Sequence, residues 1–144
     1  MSSKNSFLCL LYVFLLSCES DQIHLDYLNK IGLRLMDTYK IKSEESNFAI
    51  GDSQRNFQLI ISQRDFEEIK NKIEGFPRFK IYDSKTVPSS PYASGFSVDS
   101  DTVAYKRNGA VHYEIYYDIK NSGYEIYELT LKNDSLLEFR FIEE

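Results

Sequence analysis

The feature that most constrains this chain is a strict alternation in its last third. From Ala110 to Asp118, Val111, Tyr113, Ile115 and Tyr117 fall on one side of an extended strand, and His112, Glu114, Tyr116 and Asp118 on the other. Asn108-Gly109 just before it is a hairpin signal, because both central residues of the favoured two-residue turn need a positive φ. Thr102 to Lys106 precede that turn as a strand, with Phe96 to Asp99 as its extension or as a separate short one. After a turn at Asn121 to Gly123, Tyr124 to Lys132 place Tyr127, Leu129 and Leu131 together. After Asn133 to Ser135, Leu136 to Ile142 do the same with Leu137, Phe139 and Phe141. Short turns between alternating strands predict an antiparallel meander with one buried face and one solvated face.

Such a sheet needs a cover, and the residues upstream supply candidates. Leu28, Ile31, Leu35 and Tyr39 recur at spacings of three and four, which predicts an amphipathic helix from Gln22 to about Ile41, with Asp21 as N-cap and Gly32 as an interior weakness. Its apolar stripe is read as core. Lys42 to Ser46 reads as a polar break, and Phe48 to Ile50 and Phe57 to Ile61 as two strands turning around Gly51 and Asp52. Phe66, Ile69 and Ile73 predict a short helix from about Gln63 to Glu74. Ser62 and Asp65 resemble a capping box at its start, with Gly75 and Pro77 as its stop. Arg78 to Asp83 can be a strand. Ser84 to Gly95, with Pro88, Pro91 and four serines, is the longest irregular stretch and is either a functional loop or a tolerated insertion.

The expected fold is therefore one α+β domain over residues 22–144. It is an antiparallel meander of about five to seven strands, with one long N-terminal helix and one short helix packed on one face. The ten Tyr and eight Phe of this part can fill a core without a disulfide.

The chain's start has a different character. Lys4 gives a short polar segment one positive charge, and Phe7 to Leu16 is an uninterrupted apolar run. At about 1.5 Å per residue the run spans roughly 15 Å, about half a bilayer core, so it suits a secretion signal rather than a permanent span. It closes in Leu15-Leu16-Ser17-Cys18, which resembles the lipobox of bacterial lipoproteins. That resemblance implies cleavage before Cys18, a thioether-linked diacylglycerol on its sulfur and often a further acyl chain on the new amino terminus. Two or three chains suffice for stable membrane anchoring. Residues 18–21 would form a tether reaching at most about 14 Å. Glu19 and Asp21 loosely resemble an outer-surface export signal of some Gram-negative groups, and the periplasmic or exposed face stays open.

The remaining composition excludes several classes of chemistry. Cys9 and Cys18 are the only cysteines, so a mature chain lipidated at Cys18 has no disulfide, thiol nucleophile or thiolate metal ligand. The chain has 17 Lys and Arg against 22 Asp and Glu, a net charge of −5, and cleavage removes only Lys4 and takes it to −6. With no basic stripe, nucleic acid is not an expected partner. No phosphate loop, dinucleotide fingerprint, zinc-protease or calcium-loop spacing and no G-x-S-x-G elbow occurs, so no cofactor is expected.

Two histidines remain. His24 falls in the first predicted helix. His112, Glu114 and Tyr116 project together at intervals of about 6.6 to 7 Å, a row that could orient a general base and that more often is the solvated side of a sheet. Tyr113, Tyr116, Tyr117, Tyr124 and Tyr127 crowd two adjacent strands. Tyr116 and Tyr124 are the two placed to face outward, although tyrosine is also simply a good strand residue.

The leading functional expectation is a non-enzymatic binding or interaction module held at an envelope membrane through Cys18, with a protein partner; an immunity-type inhibitor of a toxin is one version. The alternatives are a hydrolase acting on envelope polymers and a purely structural lipoprotein.

Overall fold

A computed structural model describes residues 22–49, 52–82, 100–119 and 123–143. Cys18, the tether, the Ser84 to Gly95 loop and the Phe96 to Asp99 segment lie outside the described residues. The chain divides into two compact units, Met1–Arg34 and Leu35–Glu144.

In the first unit, residues 22–30 form helix α1. It is shorter than the expected span to Ile41, and the reason lies at Gly32. That residue adopts φ 74, and two bonds close the helix end: Gly32 N donates to Asn29 O at 2.9 Å and Leu33 N to Leu28 O at 2.8 Å. This is a Schellman C-terminus, in which a left-handed residue ends the helix and satisfies carbonyls the last turn leaves bare. Gly32 therefore terminates the helix rather than weakening its interior, and the helical spacing of Leu35 and Tyr39 lies beyond its end. Leu28, Ile31 and Leu33 are buried. No helix among the described residues is long and apolar enough to cross a membrane.

The second unit is a seven-stranded sheet with one helix described against it. The strands are β1 (Lys40–Ala49), β2 (Asp52–Ile60), β3 (Lys80–Ile81), β4 (Ser100–Arg107), β5 (Ala110–Ile119), β6 (Gly123–Lys132) and β7 (Leu136–Glu143). Their order is β1-β2-β7-β6-β5-β4-β3. The expected meander is present as β4 to β7, each antiparallel to the next. Two pairings extend it: β2 closes antiparallel onto β7, and β3 joins β4 in parallel, so the sheet is mixed.

β1 corrects the reading of Lys42 to Ser46 as a break, because those residues are mid-strand. Every described side chain of β1 is exposed, so neither face of this edge strand carries an apolar period to detect. A bulge between Ile41 and Ser43, together with Lys40, Lys42, Glu44 and Glu45, guards the edge against pairing with other chains. The strand expected from Arg78 to Asp83 contracts to Lys80–Ile81, preceded by a turn at residues 77–78.

Helix α2 (Gln63–Glu74) has the expected bounds. Ser62 caps it by accepting from Asp65 N at 3.1 Å. The return half of the capping box is missing, because the Asp65 carboxylate turns to the incoming chain instead. It accepts from Met36 N at 2.8 Å and Asp37 N at 3.0 Å, is almost fully buried, and so fixes the entry to β1. Phe66, Ile69 and Ile73 form the helix's buried stripe. Phe76 meets Tyr113 edge-on at 6.1 Å, and Glu74 pairs with Lys106, which places α2 over β4 and β5. The same sheet face carries Val111, Ile115, Tyr127, Leu129, Leu131, Leu137, Phe139, Phe141, Phe57 and Leu59, all buried. Phe57 and Phe139, opposite each other in register, stack at 4.6 Å.

Candidate functional site

The other face of the sheet holds the predicted row. His112, Glu114 and Tyr116 alternate along β5 away from α2, as expected, but they form a clamp rather than an open line of side chains. Tyr116 donates to Glu114 Oε2 at 2.8 Å, and Tyr105, arriving from β4, donates to Glu114 Oε1 at 2.9 Å. Tyr105 also stacks on its register partner His112 at 4.6 Å with planes 10° apart. The exposure expected of Tyr116 is overturned: only 6% of it is accessible, and its hydroxyl is engaged by Glu114. Tyr124 is exposed, as expected.

Burial sets the electrostatics of this face. It raises Tyr105 well above the ordinary phenol range, and the negative charge of the Glu114 carboxylate and the hydrogen bond it accepts from the hydroxyl add to the effect. It lowers His112 below 6.5; Glu114 opposes this, and Lys132 and Arg107 reinforce it. Thr130 Oγ1 lies 3.2 Å from His112 Nδ1. Glu128, opposite Glu114 in register, is raised above 4.5, first by burial and then by Glu114, against the lowering effect of Arg140.

Two of the recesses on this face bear on the row. The first, about 470 Å³, runs across β1, β2, β6 and β7. Gln54, Asn56 and Gln58 line one side; Glu128, Glu138 and Arg140 line the other. Its groups are held by partners: Gln58 Nε2 donates to Glu138 Oε1 at 3.1 Å, Gln54 Nε2 to Asn56 Oδ1 at 3.1 Å, and Arg140 pairs with Glu128 at 3.4 Å. With Glu45, three carboxylates face one guanidinium among the lining residues.

The second recess, about 610 Å³, lies at the end of the sheet where the β4–β5 and β6–β7 turns meet. Arg107, His112 and Lys132 line it, with Asn108 and Asn133 from the turns. The left-handed φ values of Asn108 (51), Gly109 (80), Asn133 (53) and Asp134 (56) are those of tight hairpin turns, which bring both loops to one level.

His112 lines the second recess, whereas Glu114 and Tyr116 line neither. The row is therefore split: its histidine faces a recess, and its carboxylate is occupied by two tyrosines. Tyr105, Arg107, Thr130, Lys132 and the β2 amides were missed from sequence. A signal existed for those on β6, where Glu128, Thr130 and Lys132 alternate with Tyr127, Leu129 and Leu131. His24 is buried in α1. Among the described residues no three His, Cys, Asp or Glu side chains converge as a metal site requires.

Comparison with protein families, curated proteins and solved structures finds no match for this chain.

Proposed function

We propose that this chain is a bacterial envelope lipoprotein, lipidated at Cys18, whose sheet binds a partner protein through its open polar face without catalysing a reaction. The observation that carries the binding part is the groove across β1, β2, β6 and β7. Neutral amides on one side and mutually paired charges on the other offer fixed donors and acceptors on rigid strands. A surface of this kind selects a partner by hydrogen-bond geometry and charge sign. The excess of Glu45, Glu128 and Glu138 over Arg140, on a chain of net charge −5, favours a basic segment. An inhibitor of a basic toxin is one instance of that chemistry. The address rests on the lipobox resemblance of Leu15 to Cys18.

Both parts are tested on the full-length chain in its envelope. Cys18→Ser is expected to abolish labelling by an acyl-chain analogue, and undiminished labelling contradicts the address. A photo-crosslinker at Asn56 is expected to give one discrete protein adduct, weakened at least tenfold by Glu45→Lys with Glu138→Lys. An adduct indifferent to both reversals contradicts the charge reading, and no adduct contradicts the binding reading.

A further inference from the structure

The recess at the turn end of the sheet has the opposite polarity to the groove. Its charged lining is Arg107 and Lys132 against the single carboxylate of Asp134, on a chain that is acidic as a whole. The register explains how the two cations come to face each other. Arg107 is the partner of Ala110 across β4–β5, and Lys132 lies one step past the Val111–Leu131 pair across β5–β6. They therefore flank Ala110 from opposite sides, about 10 Å apart at the backbone, given a strand spacing of about 4.8 Å. Ala110 projects on their side of the sheet, and its small side chain forms the floor. Any larger residue there would fill the space between the cations.

His112 is the next residue of β5 on that side, fixed by the Tyr105 stack and by Thr130. Lys132 is shared with Glu138, which does not line the recess. The remaining polar lining, Asn108 and Asn133, can donate to an acceptor.

We propose that this recess binds an oxyanion, a phosphate or carboxylate group borne by a small molecule. Two cations that line one recess on either side of an alanine can reach a common acceptor group, and an arginine fork suits planar or tetrahedral oxyanions in particular. At about 610 Å³ the recess exceeds what an oxyanion alone fills and lies within the usual range for small-molecule sites, so the anion is one end of a larger ligand. Its body would lie against the stacked rings of Tyr105 and His112. The recess shares no lining residue with the groove, though the Lys132–Glu138 pair links them, so Arg107 and Ala110, which lie outside that pair, distinguish a failure here from a failure of the groove.

The test is a titration of the isotope-labelled full-length chain in detergent with inorganic phosphate and, in a parallel arm, with acetate, at ionic strength fixed by chloride. The expected result is saturable movement of the His112 ring and of the Asn108, Gly109 and Asn133 amides. Affinity should fall at least tenfold in Arg107→Gln and in Ala110→Leu, which fills the floor without removing a charge, while resonances of α2 stay in place. Saturation by phosphate alone assigns a phosphate ester, by acetate alone a carboxylate, and by both the shared oxyanion chemistry. Movement linear in concentration in both arms, or equal movement in both variants, overturns the proposal.

Discussion

Phe139 and Arg140 are neighbours on β7, yet they stand in different solvents. Phe139 is 2% exposed and stacks on Phe57, whereas Arg140 reaches across the other face to Glu128. The same strands present a dry side, where shape alone fixes the arrangement, and a half-buried polar side, where each group is positioned by a partner. The difference teaches where selection for folding and selection for recognition can act separately. Truncation on the dry side should cost stability, and substitution on the polar side should chiefly change what the surface accepts.

The largest expected effect follows from the dry side: Phe139→Ala should lose about 3–5 kcal/mol in urea unfolding, through lost transfer and a cavity against Phe57. Glu114→Ala should sit between the two extremes, at about 1–3 kcal/mol, because it strands the hydroxyls of Tyr105 and Tyr116 in a half-buried place. Arg140→Ala, one residue from Phe139, should cost under about 1 kcal/mol, since its ion pair is partly exposed. Equal losses for Phe139→Ala and Arg140→Ala would erase the distinction between the faces.

The smallest effects are in pH. His112 titrates below 6.5 when folded and near 6.5 when unfolded, so the unfolded chain binds the proton more readily and stability falls as pH drops from 6.5 towards the folded value. Glu128 is raised when folded, so its contribution is present at low pH and is lost as pH rises above 4.5 through the raised value. Urea midpoints measured across pH 4 to 7 should show both slopes, with His112→Asn removing the first and Glu128→Gln the second.

Much of the fold was legible because burial leaves a period in the sequence. The alternation of Val111 to Tyr117 and of Leu137 to Phe141 gave the strands and their dry side, and Phe66, Ile69 and Ile73 gave α2 within its observed bounds. Where burial is absent or local geometry intervenes, the pattern misleads. The described side chains of β1 are all exposed, so Lys42 to Ser46 read as a break, and Gly32 ended α1 where the spacing of Leu35 and Tyr39 invited its continuation. The site was half legible for a related reason. Alternation put His112 and Glu114 on the polar face, but only cross-strand register brings Tyr105 to both of them and sets Arg107 and Lys132 about Ala110. Register between strands is not written in either strand alone.

Whether the polar face is the working surface can be read from paired photo-crosslinking in the full-length chain. One crosslinker replaces Asn56 in the groove, and the other replaces Glu68 on the exposed side of α2. A discrete adduct is expected from position 56 and none from position 68. Equal yields from the two positions, or an adduct from position 68 alone, would contradict it.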